Sequence, residues 1–180
     1  MFTHRCIYIT KAATPQQSCE EFFRLKGANL SGINLRQADL VQGNFVGAYL
    51  LEADLEGANL SGSDLSFSNC MGANFTDATL EGANFEGADL CETNFARATL
   101  RCANFKGANL LSAEMIDADI EGANFQGANL KDTNLEGTDL SKADFDEIYL
   151  RDILPIINSS KIDHKVDNFS DSKQDGTNSL

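Results

Sequence analysis

Side chains that could act as nucleophiles, general bases or metal ligands are few and scattered in this 180-residue chain. Both histidines, His4 and His164, lie near the ends, far from each other in the sequence. Five cysteines occur without the close spacing typical of a zinc or redox site: Cys6, Cys19, Cys70, Cys91 and Cys102. No glycine-rich phosphate loop follows a predicted strand and opens a helix. The spacing therefore predicts no catalytic residue, no metal site and no bound cofactor.

Carboxylates are the one abundant reactive group, with 27 Asp and Glu against 14 Lys and Arg and a net charge of −13. A carboxylate pair acts as acid and base only where a cleft excludes water, and nothing in the sequence predicts such a cleft. The negative charge also disfavours direct contact with nucleic acid or an anionic membrane, because both require a basic surface. We therefore expect that the chain is not an enzyme.

The cellular compartment is predicted from the first residues and from the cysteines. The N-terminal stretch MFTHRCIYIT has no long apolar core and no small-residue cleavage site, and no apolar run is long enough to span a bilayer. In a chain without an export signal, cysteines are expected to be reduced thiols. The predicted localisation is cytoplasmic.

The elements that would position these side chains come from one repeat, which runs without a break from Ala28 to Leu150. A large apolar residue, here called the centre, occupies every fifth position from Leu30 onwards. Of 25 centres, 15 are Leu and seven are Phe. Ala stands two places before the centre in 17 units, and Asn or Asp stands one place before it in 20. So long a repeat decides the architecture.

A period of five fits neither regular secondary structure. Five residues turn a helix by about 500°, so the centres would visit all its faces. In a flat strand an odd period would put successive centres on opposite faces. The pattern is consistent only with a chain that bends once per unit, with the centre and the residue two before it pointing inward. Glycine suits the bend, two places after the centre.

The phenylalanine centres predict the number of sides in each coil. All seven fall among the odd multiples of five, whereas 11 of the 13 even multiples are Leu. An alternation with period ten requires an even number of sides, and four is the smallest sensible number. Residues n and n+20 are then predicted to stack, with Phe-rich walls facing each other. The core centres so predicted include Phe45, Phe75, Phe85, Phe95, Phe105, Phe125, Phe145, Leu90 and Leu100.

Units such as GANLS, QADLV, EADLE, EGANF and KGANL resemble the A-(D/N)-L-x-x motif of the pentapeptide repeat family. The resemblance implies an all-β solenoid, a right-handed quadrilateral parallel β-helix, which here would have about six coils. It implies little about function. The family is plentiful in photosynthetic bacteria, mostly without an assigned role, and a minority of members bind type II topoisomerases as DNA mimics.

The segments outside the repeat are predicted to cover its open ends. Thr14 and Pro15 have the pattern of a helix start, and Phe22 and Phe23 would give that helix an apolar face. Residues 1–26 are therefore predicted to form an N-terminal strand and capping helix, before a β-helix at 27–150. Residues 151–157, with sequence RDILPII, are predicted to cap the last coil. The polar residues 158–180 are predicted to be a flexible tail.

A strip of apolar residues follows the centre on one predicted wall. Residues one place after the centre should point outward, and on the wall of Leu30 and Leu50 four coils in a row carry an apolar side chain there. With Tyr49 beside them, the candidate partner-binding residues are Tyr49, Leu51, Met71, Cys91 and Leu111. Three interpretations remain open. The strip could bind a partner or a second copy, the terminal segments could fold over it, or it could have no consequence.

The function predicted from these features is a non-enzymatic, acidic scaffold or adaptor that binds an unknown protein partner through an exposed wall, with a homodimer as one form. The alternative is an acidic DNA mimic that binds a type II topoisomerase such as gyrase. The charge density along the predicted rod approaches that of duplex DNA, but the acids divide nearly equally among the four walls.

Overall fold

A computed structural model describes residues 25–146 of the chain. The predicted N-terminal cap, with Thr14, Pro15, Phe22 and Phe23, lies outside the described residues, and so do the predicted C-terminal cap and tail. In the described part, no helix is long and apolar enough to cross a membrane.

Parallel pairing between residues 20 apart organises the described part of the chain. Isolated parallel β-bridges run from Asn29 with Tyr49 to Asn124 with Asp144, and each joins residues 20 positions apart. The chain bends once per five residues, so one coil has four sides. Residues n and n+20 stack, as the repeat predicts.

Each corner of the coil is a turn whose third residue has a left-handed backbone. Every fifth residue from Gly27 to Gly137 has a φ between +53° and +75°. The N–H three places after a centre donates to the carbonyl of that centre, as Ala28 does to Leu25 at 2.9 Å. This geometry is that of a type II turn, in which glycine is preferred at the position of positive φ. Eleven of these corners nevertheless carry other residues.

Hydrogen bonding explains why Asn or Asp precedes the centre. In the unit 53–57, the N–H groups of Leu55 and Gly57 donate to one neighbouring coil, that of Asp54 donates to the other, and that of Ala53 closes the turn. The remaining N–H, that of Glu56, donates to Oδ1 of Asp54 at 3.2 Å. The same side-chain bond recurs along the chain. It satisfies the N–H one place after the centre, which is the one backbone donor of the unit that has no backbone acceptor.

The core consists of the centres and the small residues two places before them. Every centre from Leu30 to Leu130 is buried, and Phe145 is 8% exposed. The phenylalanine rings stack along a wall, with centroids 5.1 Å apart for Phe75 and Phe95, and they meet edge-on across the core, at 5.9 Å for Phe75 and Phe85. The walls rich in Phe therefore face each other. The other predicted core centres, Leu90 and Leu100, are fully buried.

The regular corners end after Gly137. A three-residue 3₁₀ helix, Leu140–Lys142, replaces the next corner, and the side chain of Asp139 accepts a hydrogen bond from the Ser141 N–H at its start. Leu140 is only half-buried, as is Leu135 before it, whereas every centre from Leu30 to Leu130 is buried. The bridge of Asp144 to Asn124 keeps the 20-residue register.

Candidate partner-binding surface

The predicted apolar strip lies on the outside of one wall. Met71 is 41% exposed, and Leu51, Cys91 and Leu111 are half-buried. Since neighbouring coils are about 4.8 Å apart, the four side chains extend over about 14 Å. Ser66 also stands one place after its centre, but it is only 7% exposed. Its short side chain lies between two longer ones, Val46 and Glu86, at the same position in the adjacent coils.

Tyr49 lies two residues before Leu51, on the N-terminal side of the strip. It stands where most units have Asn or Asp, and its side chain is 53% exposed. A tyrosine cannot accept the bond from the N–H two residues on, and no protein acceptor among the described residues takes the Leu51 N–H. Tyr49 therefore replaces a residue that supports the coil with one that presents a ring to solvent.

Phe67 is a functional candidate that the sequence reasoning missed. It occupies a corner, with a φ of +56°, and it is 67% exposed. The other described corners of the same column are all glycine: Gly27, Gly47, Gly87, Gly107 and Gly127. Phe67 stands two places after its centre, Leu65, and is therefore not part of the predicted strip. The signal was a single aromatic residue in a column of corner glycines.

The ring of Phe67 lies over the glycine of the next coil. A Cβ added at Gly87 would be 2.8 Å from the Phe67 ring, closer than real Cβ contacts. A bulky residue in the left-handed region is unfavourable, at a cost of about 1–2 kcal/mol. The glycine at position 87 therefore leaves room for the ring over this corner.

These residues form one surface, here called the aromatic patch and defined as Tyr49, Leu51, Phe67 and Met71. Tyr49 pairs with Asn69 of the next coil, and Phe67 and Met71 are each two residues from Asn69. With about 3.3 Å per extended residue, their backbones lie within about 7 Å of Asn69. The patch contains three of the four exposed large apolar residues of the described segment.

Carboxylates flank the aromatic patch. The Phe67 N–H donates to the Glu86 carbonyl at 2.9 Å, and the Glu52 N–H donates to the Met71 carbonyl at 3.0 Å. Glu92 follows Cys91 in the strip. Within residues 25–146, none of these three glutamates forms an ion pair with Lys or Arg.

The arginines that form ion pairs lie on the other two walls. Arg97 contacts both carboxylate oxygens of Asp77, at 2.7 and 2.8 Å. Arg101 pairs with Asp119 and Glu121. Arg36 pairs with Asp54 and Glu56 in the same way. All are contacts between neighbouring coils, so these basic residues offset local acidity away from the aromatic patch.

Two thiols in the described segment, those of Cys70 and Cys91, have surroundings that disfavour reactivity. Burial raises the pKa of Cys70 to about 12, so its thiol stays protonated at neutral pH. Burial and the neighbouring Asp89 raise the pKa of Cys91, whose sulfur accepts a hydrogen bond from Asn109 at 3.0 Å. Across residues 25–146, no group of three or more His, Cys, Asp or Glu could hold a metal ion.

A family model for pentapeptide repeats matches the chain in eight copies, over residues 28–66, 68–107, 92–127 and 113–152. The chain belongs to the pentapeptide repeat family. Members of this family fold as right-handed quadrilateral β-helices, in agreement with the four-sided coils and the 20-residue pairing described above. No curated protein matches this pentapeptide repeat chain.

Several solved pentapeptide repeat structures resemble this one. HetL of the cyanobacterium Nostoc sp. strain PCC 7120, which is involved in heterocyst differentiation regulation, is 31% identical, with a TM-score of 0.38. The match covers 63% of this chain and 62% of HetL, so it spans less than two thirds of that protein. A protein of the Arabidopsis thaliana thylakoid lumen is 23% identical, covered at 73% and 77%, with a TM-score of 0.35. QnrB1, a plasmid-mediated fluoroquinolone resistance protein, is 24% identical, covered at 62% and 65%, with a TM-score of 0.33.

Proposed function

We propose that this pentapeptide repeat protein is a non-catalytic binding scaffold of about six coils, which works in the cytoplasm and holds a protein partner on its aromatic patch. Tyr49, Leu51 and Met71 of the predicted strip belong to this patch, and Phe67 is added to them. Cys91 and Leu111 continue the strip beyond the patch. The coiled part supplies a rigid wall on which the exposed side chains keep fixed spacings.

The position of Phe67 carries this proposal. A corner glycine would be more favourable there, since the φ of +56° disfavours a bulky residue. Burial of the ring does not explain why a phenylalanine stands at this corner, because Phe67 is 67% exposed. Strained and exposed residues concentrate at functional sites, and exposed aromatic residues are common anchors of protein interfaces.

Tyr49 supports the same interpretation independently. Asn at position 49 would cap the turn as it does in neighbouring units, so Tyr49 is also less favourable for the coil than the residue of the repeat. Two departures from the repeat, in adjacent coils, each place a ring in solvent. A stability requirement would have kept Asn and Gly at these positions.

The test restores the repeat at both positions in the variant Tyr49→Asn/Phe67→Gly. This variant should fold at least as stably as the wild type, since it gains a turn-capping bond and relieves the corner. Both proteins are immobilised and incubated with extract of the source cells, and captured proteins are quantified by mass spectrometry. At least one protein should be captured by the wild type and lost, by about tenfold or more, with the double variant.

The matched control is Val41→Ser, which removes the fourth exposed apolar side chain, 39% exposed and on a different wall. It should capture the same partner as the wild type. Equal capture by the double variant, or capture of nothing specific by the wild type, would contradict the proposed function.

The second candidate function is a DNA mimic directed at a type II topoisomerase, for which the net charge of −13 is the supporting observation. The arrangement of charge argues against it, because Arg36, Arg97 and Arg101 interrupt the acidic surface with ion pairs between coils. A supercoiling assay with purified gyrase separates the two. Inhibition at micromolar protein that persists in the Tyr49→Asn/Phe67→Gly variant would favour the DNA mimic.

A further inference from the structure

We infer that the partner segment bound by the aromatic patch is basic and apolar, with Arg or Lys side chains on either side of an apolar anchor. This inference rests on the proposed function and adds the chemistry of the partner to it. It depends on the charges around the patch, on the absence of counter-ions for them, and on the exposed rings.

The carboxylates stand on two sides of the patch. Glu86 is bound through its carbonyl to the Phe67 N–H, so it lies one coil beyond Phe67 on the side of the preceding wall. Glu52 and Glu92 are corner residues on the opposite edge, with φ of +53° and +57°. Glu52 and Glu92 are both exposed, and Glu86 is half-buried. An apolar centre with acids on both edges is complementary to an apolar side chain with bases on both sides.

These acids have no basic partner in the described part of the chain. The ion-paired arginines are on the two other walls, and Lys106, one coil beyond Glu86, forms no ion pair with it. Elsewhere the chain places arginine where it can join acids of adjacent coils. Around the aromatic patch it leaves the acids available to an outside cation.

The rings add a second interaction that selects a cation. The faces of Phe67 and Tyr49 carry negative charge density, and a guanidinium or ammonium over such a face is attracted to it. Arginine can stack on a ring and bind a carboxylate through two N–H groups at once, which lysine cannot do. A segment containing arginine beside an apolar residue fits this surface best.

The same charges disfavour the other occupants. In a second copy of this chain, the aromatic patch would bring its own glutamates against those of the first, and like charges at an interface are repulsive. An anionic membrane and nucleic acid are repelled for the same reason. A basic protein segment is the occupant that the charge arrangement favours.

The test selects binders of the full-length protein from a phage library of random 12-residue peptides. Phages that also bind the Tyr49→Asn/Phe67→Gly variant are removed before sequencing. The selected peptides should be enriched in Arg and Lys next to Leu, Ile, Phe or Trp. A synthetic peptide of the enriched sequence is then titrated by fluorescence anisotropy, and its affinity should fall when NaCl rises from about 50 to about 500 mM, since the screening length shortens from about 14 to about 4 Å.

Two triple variants with the same change in net charge separate the local effect from the overall charge. The first neutralises the acids of the patch: Glu52→Gln, Glu86→Gln and Glu92→Gln. The second neutralises acids of the other walls: Glu81→Gln, Glu114→Gln and Glu136→Gln. The first should weaken peptide binding by about tenfold, and the second should weaken it by less than about twofold.

Each failure points to a different error. Peptides that require Phe67 but are neutral or acidic would overturn the partner chemistry and leave the proposed docking function standing. A synthetic peptide that binds the Tyr49→Asn/Phe67→Gly variant as tightly as the wild type would overturn the docking function itself, and so would a selection that yields no specific binder. Patch-dependent dimers in light scattering would overturn the basic partner in favour of a second copy.

Discussion

Phe85 and Phe105 stack face to face in adjacent coils, with ring centroids 5.1 Å apart and ring planes 2° from parallel. Phe125 continues the stack beyond Phe105 at 4.8 Å, and Phe145 continues it again at 4.8 Å. Phe95, from the opposite wall, meets Phe85 and Phe105 edge-on at 5.7 and 5.9 Å. The rings therefore pack adjacent coils against each other along the axis and opposite walls against each other across the core.

A double-mutant cycle on Phe85 and Phe105 should reveal this coupling. Each change to Leu should destabilise the fold by about 1–2 kcal/mol, since it leaves a partly filled space. The two changes together should differ from the sum by about 0.5–1.5 kcal/mol, the usual worth of an aromatic pair beyond its burial. Unfolding in guanidinium chloride provides the free energies.

The control cycle pairs Phe75 with Phe125, which lie on opposite walls and share no aromatic neighbour. Their changes to Leu should add within about 0.5 kcal/mol. Equal coupling in both cycles would mean that the stacked rings have no special contribution.

Gly43 and Ser63 occupy the same inward position in adjacent coils, and replacing each by Ala should change the free energy of unfolding in opposite directions. Ala is the residue of the repeat at this position, but Gly43 and Ser63 depart from it. A Cβ at Gly43 would be 2.5 Å from the Phe45 ring and 3.0 Å from the Leu40 carbonyl. Gly43→Ala should therefore destabilise the fold by about 1–3 kcal/mol, despite matching the repeat.

Ser63→Ala, one coil further on, should instead stabilise the fold. The Ser63 hydroxyl is buried and has no hydrogen-bond partner within the described segment. Its removal should raise the free energy of unfolding by about 1 kcal/mol and the Tm by about 3 °C. Thermal unfolding of both variants provides the comparison, and a stabilising Gly43→Ala would contradict the packing at Phe45.

The coil could be predicted from sequence because each position of the unit has one physical task. The inward centres, the small residues before them and the turn-capping Asn or Asp recur so often that exceptions do not hide the period, and the alternation of Phe85, Leu90 and Phe95 sets an even number of sides. The 3₁₀ helix at Leu140–Lys142 was not predicted, because the sequence there keeps the repeat while the backbone leaves it. The capping helix at Thr14 and the number of coils stay predictions.

The sequence predicts the aromatic patch only in part. Leu51 and Met71 follow the centre in adjacent coils of one wall, so the repeat itself places them together, and Tyr49 adjoins them. Phe67 lies at the corner position, where glycine was assumed to serve the turn alone. The signal for Phe67 lies in its column, because the corner residues 20 positions before and after it, Gly47 and Gly87, are both glycine.

The ion pair between Arg97 and Asp77 should make part of the stability depend on pH. The hydrogen bonds from the Arg97 guanidinium hold the pKa of Asp77 below its usual range. A carboxylate with a lowered folded pKa stabilises the fold above its unfolded pKa and loses that contribution as the pH falls through the folded value. The loss is expected below about pH 4, near the unfolded pKa of Asp.

An NMR titration of the Asp77 carboxyl tests this, in the wild type and in Arg97→Gln. The Asp77 pKa should rise towards its usual value in the variant. In the wild type, added salt should also raise the Asp77 pKa, by a smaller amount, because the ion pair is exposed and salt screens it. An unchanged Asp77 pKa in Arg97→Gln would contradict the contact.

Cys70→Leu should be neutral or stabilise the fold by up to about 1 kcal/mol, because it completes a column whose neighbours on either side are Leu50 and Leu90. Cys70 is fully buried, and its sulfur contacts the Ser68 hydroxyl at 3.2 Å. That hydroxyl would lose its partner, so Cys70→Leu combined with Ser68→Ala should be more stable than Cys70→Leu alone. Differential scanning calorimetry gives the Tm of each variant, and a clear fall in Tm for both would contradict the placement of Cys70 in the leucine column. Because Cys70 and Ser68 are buried, whereas Tyr49, Phe67 and Met71 are exposed, neither variant should change the affinity of a peptide bound at the aromatic patch.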